Sequence, residues 1–232
     1  MGGRGASSSI TKGSKTGTQD SLERYLGKKG NPLSVEKSLK TINPNYVLRG
    51  EWAYNCQSCT TAFEATQRGY DVQAVGHDKG KPYFPDENGK QHQWYDVYEG
   101  EKTGTIGNEA YKKYIEADSI YEKVKCHSKA IAFNGIVGKT KILNTENQIK
   151  KEMQSYGDGA RATLVVGWKR GSGHIMNVLN SNGQVYVADA QSGKTFNLSD
   201  ILPYAKKGVA LTRVDNLKFN SNIQYLTKKK GE

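Results

Sequence analysis

The stretch that most restricts the fold of this 232-residue chain lies between Ala162 and Asp189. Three β-rich runs, Ala162 to Trp168, His174 to Leu179 and Val185 to Ala188, follow one another with little between them. Ser181-Asn182-Gly183 separates the last two. Asn and Gly tolerate the left-handed backbone of a tight hairpin turn, so these two runs read as an antiparallel pair. Ahead of them, Thr145 to Met153 has the composition of a good helix, with Asn144 as its cap and Tyr156 and Gly157 at its end. Behind them a short helix starts at Ser199, and Gly208 to Val214 reads as a last strand. A helix followed by an antiparallel sheet is an α+β arrangement.

A second helix carries reactive residue types. Tyr54-Asn55-Cys56-Gln57-Ser58-Cys59 opens a run that reads as helical to Gln67 or Arg68 and stops at Gly69, a residue suited to a left-handed cap. A thiol at the first helical position sits in the positive end of the macrodipole, beside unpaired backbone N–H groups. Both favour the nucleophilic thiolate. In the hairpin, His174 opens one strand and Asp189 closes the other. With a short turn at 181–183 those ends lie side by side, within reach of a carboxylate–imidazole bond. Such a bond fixes the ring's tautomer and leaves its second nitrogen for a thiol. Gln191, two residues on, is placed to support or orient the site. Taken singly, His174 reads as a structural histidine at a strand end and Asp189 as a turn residue. Their pairing, together with a helix-start cysteine, points to one Cys56/His174/Asp189 site.

Asn55-Cys56-x-x-Cys59 with its helix through Gly69-Tyr70-Asp71-Val72, Gly173-His174 with Asn177, and Val187-x-Asp189-x-Gln191-x-Gly193 together resemble the papain-fold toxin family. Those toxins are also described as protein-glutamine deamidase toxins. Asn43-Pro44-Asn45 resembles the family's lead-in to that helix. The resemblance covers roughly residues 42–75 and 160–215 and leaves 76–143 unplaced. It implies a papain-like fold, with the nucleophile helix packed on an antiparallel sheet, and a cysteine-dependent amide hydrolase that needs no cofactor or metal. The implied roles are nucleophile Cys56, general base His174 and orienting Asp189, with Asn55 and Gln191 supporting substrate or oxyanion. Cys59 is the alternative nucleophile. Cys56-Gln57-Ser58-Cys59 also copies the Cys-x-Ser-Cys of ordinary papain-like proteases, in which the second cysteine reacts. The implied partners are a protein substrate carrying a glutamine or a peptide amide and, as a candidate, an immunity protein. The start Gly2 to Ser8 is similar to the starts of many bacteriophage-encoded proteins. That adds a phage capsid or portal as a candidate partner, and the virion or the bacterial host cytoplasm as expected locations. The alternative reading is a phage virion or DNA-associated accessory protein that keeps the fold and needs no catalysis.

A net charge of +11 raises nucleic acid as a partner. The lysines are spread along the chain, with tight runs only at Lys28-Lys29 and Lys228-Lys229-Lys230, so the charge reads as a solvated surface. Nucleic-acid binding is therefore disfavoured as the main function. No apolar run is long enough to span a membrane, and Met1 to Ser9 lacks the apolar core of a signal peptide. Three cysteines, Cys56, Cys59 and Cys126, cannot all pair, which leaves a free thiol. Zinc on Cys56-x-x-Cys59 with Cys126-His127 is disfavoured, because adjacent side chains in a strand diverge from one ion. A thioredoxin-like site lacks its βαβ context. Cys126 reads as a core residue, and His77, His92 and His127 as surface residues. Residues 1–20 read as a disordered Gly/Ser-rich tail. Residues 21–41 read as a short helical lead-in or linker, its first helix capped at Asp20, 42–220 as the papain-like catalytic domain, and 221–232 as a basic C-terminal tail. Within the unplaced middle, Trp94, Tyr95 and Tyr98 are the expected buried points.

Overall fold

The computed structural model describes residues 17–81, 83–99 and 140–231. In chain order its elements are α1 (Gly17–Leu26), α2 (Val35–Thr41), α3 (Cys56–Gln67), β1 (Val72–Ala74), β2 (Lys141–Leu143), α4 (Glu146–Ser155), β3 (Arg161–Gly167), β4 (Gly173–Ser181), β5 (Gln184–Asp189), β6 (Lys194–Phe196), α5 (Leu198–Ile201), β7 (Val209–Arg213), α6 (Ile223–Leu226) and β8 (Thr227–Lys229). Two 3₁₀ turns, Tyr46–Leu48 and Gly50–Ala53, lead into α3.

The hairpin forms as its turn residues require. Ser181 faces Gln184, and Asn182 and Gly183 take φ angles of 51° and 82°. It sits inside a six-stranded antiparallel sheet of order β2-β7-β3-β4-β5-β6. A strand covered on both faces needs apolar residues at successive positions, and β4 is buried continuously from Ile175 to Asn180. On one side Leu164, Val166, Met176, Val178 and Val187 pack with Ile149 and Met153 of α4. On the other, Ile175, Leu179 and Ala188 pack with Cys59, Ala62 and Phe63 of α3. The sheet is thus a middle layer with the cysteine helix on one face, an α+β arrangement as expected.

Helix α3 ends before Gly69 as expected, and close packing fixes that glycine. Its φ is 95°, and a Cβ there would stand 2.2 Å from the Gly30 carbonyl oxygen. Other boundaries shift. The cap of α4 is Thr145 rather than Asn144, because Thr145 accepts the Gln148 N–H while Gln148 Oε1 accepts the Thr145 N–H, both at 3.2 Å. α5 begins at Leu198, one residue before the expected Ser199.

The stretch expected as a basic tail instead folds back onto the body. α6 buries Ile223 and Leu226 completely, and β8 pairs with β1, Lys229 facing Val72. The lysine run conceals that apolar anchor. The lead-in is packed as well, since Leu26 and Leu39 join the α3-side core. In the middle stretch Trp94, Val97 and Tyr98 are buried there too, with Tyr95 packed against them. His77 and His92, expected at the surface, are buried because each flat ring is covered by a tyrosine. His77 stacks on Tyr83 at 4.5 Å and His92 on Tyr225 at 4.4 Å. Cys126 and His127 lie outside the described residues.

Candidate active site

Helix α3 is pinned to β4 by its own polar residues. The Thr60 hydroxyl donates to the Ile175 carbonyl at 3.2 Å, and the Asn177 amide donates to the Thr60 carbonyl at 3.4 Å. Ser58 Oγ donates to the Leu226 carbonyl of α6. These bonds anchor the first turns of the helix one residue away from His174. Cys56 is the first residue of the helix and is half-buried. Cys59, one turn in, is 1% exposed. Burial pushes the Cys59 thiol well up, and the neighbouring Cys56 and Asp189 add to it.

His174 follows a tight loop in which the Trp168 N–H donates to the Ser172 carbonyl at 3.1 Å and the Gly171 N–H to the Trp168 carbonyl at 3.1 Å. Its Nε2 lies 3.1 Å from Asp189 Oδ1. Cys56 also lies close enough to the ring to favour its charged form. The Trp168 ring stacks over the imidazole at 6.3 Å. Burial works against a charged ring. The hydrogen bonds to Asp189 and Cys56, with the charges behind them, outweigh it and raise His174 to about 10. For Asp189 burial alone would raise the carboxyl, but His174 holds it below the usual carboxylate range. Ser192 Oγ at 2.6 Å and the Gln191 N–H at 3.1 Å assist.

Asn55 occupies the N-cap position but does not cap the helix with its side chain. It is fully buried in an amide network. Its Nδ2 donates to Asn43 Oδ1 at 3.2 Å and to the Val75 carbonyl at 3.2 Å. Its Oδ1 accepts Gln191 Nε2 at 3.3 Å. Asn43 in turn donates to the Gln191 carbonyl at 3.0 Å. The network ties the residue before the thiol to the turn after Asp189. Asn43 and Ser192 bond to these groups as well, Asn43 to the distant Gln191 and Ser192 to Asp189 three residues before it. Tyr83 is a further neighbour, raised first by burial and then by the nearby Cys56.

The structure brings Cys56, His174, Asp189, Asn55 and Gln191 together, and places Cys59 beneath them. Among the described residues no group of three His, Cys, Asp or Glu side chains could hold a metal ion. No described helix is long and apolar enough to cross a membrane.

A buried carboxylate, an imidazole and a helix-start thiol on an antiparallel sheet define the class as papain-like. The model of the family "Papain fold toxin 1, glutamine deamidase" matches residues 54–194, more than half of the chain, and the chain belongs to that family. The match runs through the middle stretch that motif reading left unplaced. No curated protein and no solved structure matches the chain.

Proposed function

We propose that the protein is a cysteine-dependent deamidase of glutamine side chains in a target protein, acting as a toxin through a Cys56-His174-Asp189 triad. The observation that supports this reading is the His174 imidazole, 3.1 Å from the Asp189 carboxylate and beside the thiol at the start of α3. In the reactive form His174 holds the thiol proton and Cys56 is a thiolate. Sγ attacks the carboxamide carbon, and the oxygen gathers charge against the Cys56 backbone N–H at the open end of α3. His174 passes its proton to the departing nitrogen, ammonia leaves, and a thioester remains on Cys56. The freed imidazole takes a proton from water, the hydroxide opens the thioester, and glutamate and thiol are regenerated. Asp189 holds the ring in orientation throughout. Asn55 and Gln191 position the helix start and the Asp189 turn through the buried amide network.

Cys59 is supported less well as nucleophile, being buried and disfavoured as a thiolate. Carriage by a phage rests on the character of the Gly/Ser-rich start alone, and detection of the chain in purified virions tests it. The chemistry is tested by expressing the wild type and Cys56→Ala in a bacterial host and comparing the two proteomes by mass spectrometry. The expected result is a glutamine converted to glutamate in wild type only. Peptide cleavage at a new site would make the protein a protease. No Cys56-dependent change, together with salt-sensitive DNA or capsid binding, would favour the accessory-protein reading.

A further inference from the structure

The deamidase mechanism uses one cysteine of the Cys56-x-x-Cys59 pair and leaves the other unexplained. Both are free thiols on the same face of the first turn of α3, three residues apart. The Cys59 N–H donates to the Asn55 carbonyl at 3.0 Å, so that turn is closed and the two side chains are stacked neighbours. Side chains so spaced on a helix have Cβ atoms about 5–6 Å apart. A disulfide asks for about 3.5–4.5 Å. The missing distance is available here and would not be mid-helix, because Cys56 is the first helical residue and its N–H has no partner one turn back. Cys56 is half-exposed and Cys59 is covered. Oxidant can reach the first, and the second is shielded from everything except its neighbour.

We propose that Cys59 is a resolving thiol, and that Cys56 and Cys59 form a reversible disulfide when the protein meets a peroxide. Cys56 thiolate attacks the O–O bond, takes one oxygen as a sulfenic acid, and releases the other as hydroxide, which is protonated to water. The Cys59 sulfur then attacks the sulfenic sulfur. The S–O bond breaks, hydroxide leaves with the Cys59 proton as a second water, and the S–S bond is made. Two thiols are oxidised and one peroxide is reduced to two waters. The disulfide takes Sγ away from His174, and a reducing thiol restores it by exchange. That this silences deamidation rests on Cys56 being the nucleophile, as proposed above. The bond formation itself does not.

The experiment treats the full chain with hydrogen peroxide, quenches with catalase, blocks free thiols with iodoacetamide and maps tryptic peptides. Both cysteines fall in the peptide from Gly50 to Arg68. The expected wild-type peptide is unalkylated and lighter by two hydrogen atoms, and dithiothreitol returns two alkylatable thiols. In Cys59→Ala, Cys56 proceeds to sulfinic acid and its recovery by dithiothreitol falls at least about tenfold. A wild-type peptide that gains oxygen as readily as the variant, or a bond to Cys126, overturns the proposal. The wild-type map decides even if Cys59→Ala folds poorly. Deamidation surviving in Cys56→Ala would sink the nucleophile reading and leave the disulfide standing. A peptide that never loses hydrogen would do the opposite.

Discussion

Helix α3 buries two polar clusters, one at each end, and they are built on opposite principles. Toward its C-terminal end Glu64 is fully buried between two arginines. Arg68 Nε lies at 2.7 Å, and Arg161 reaches it through Nε at 2.7 Å and a terminal nitrogen at 2.9 Å. The spare donors are used too: Arg68 bonds the Val214 carbonyl at 2.6 Å and the Leu217 carbonyl, and Arg161 bonds the Gly159 carbonyl at 3.3 Å. The Arg68 guanidinium also lies over the Phe219 ring at 4.2 Å. At the N-terminal end Asp189, Asn55, Asn43 and Gln191 are also well bonded, but the half-buried Cys56 thiol beside His174 is not built into that network. Where every buried polar group is satisfied by its neighbours, the cluster fixes the fold. Where a satisfied shell surrounds a thiol and an imidazole, those two are the candidates for chemistry.

The sharpest way to break that contrast is to delete the thiol. Cys56→Ala is expected to lower glutamine-to-glutamate conversion by about 10⁴-fold or more while leaving the circular dichroism and the unfolding midpoint near wild type. Loss of fold along with activity would mean that the thiol is structural and the contrast false. The converse change is at Glu64. Glu64→Ala leaves two partly buried guanidinium groups without their carboxylate and is expected to cost about 3 kcal/mol in urea unfolding. Conversion per folded molecule should be unchanged. A Glu64 variant that folds normally but deamidates slowly would show that the two ends of α3 are coupled.

The reactive half of this picture was more legible in the sequence than the structural half. The Asn182-Gly183 turn, the helix stop at Gly69 and the helix-start position of Cys56 are local signals, each carried by a few adjacent residues. The turn pairs Asn177 with Ala188, which brings Asp189 to the strand end near His174 but not directly opposite it, so the contact also depends on the reach of the two side chains. Asn43 and the Glu64–Arg161 pair were hidden because each partner lies far away in sequence, where no period or spacing links them. The same holds for β8, whose lysines read as a tail until Lys229 is found opposite Val72. Burial of His77 and His92 was hidden for the same reason, since a ring stack leaves no mark in a single sequence.

The amide network lies between the two regimes, because it is saturated like the Glu64 cluster yet touches the reactive pair. Asn55→Ala strands the donors and acceptors of Asn43 and Gln191 in a buried site, a loss of about 1–3 kcal/mol of stability. If the network only stiffens the fold, activity per folded molecule should hold. If it sets the register of Cys56 against His174, conversion should fall with KM little changed, and Asn43→Ala should reproduce the effect. Stopped-time conversion assays on the two variants, corrected for folded fraction, separate these outcomes.

The smallest effect expected is in the pH dependence of stability, and it tests the pair directly. His174 is raised from 6.5 to about 10 in the folded state. A raised histidine contributes stability that is fully present below its unfolded value and is lost as pH rises through the folded one. Asp189 is lowered, so its share is present above the ordinary carboxylate value of 3.8 and is lost on acidification. Between those limits the pair stabilises the fold. From about pH 7 to pH 10 the wild type should lose about 1 kcal/mol or more beyond what His174→Ala loses over the same range. Urea midpoints measured for both proteins at each pH give that difference, with the titration of other groups cancelling. Parallel curves would mean that His174 carries no extra proton in the folded state, and the N-terminal cluster would then be as inert as the one around Glu64.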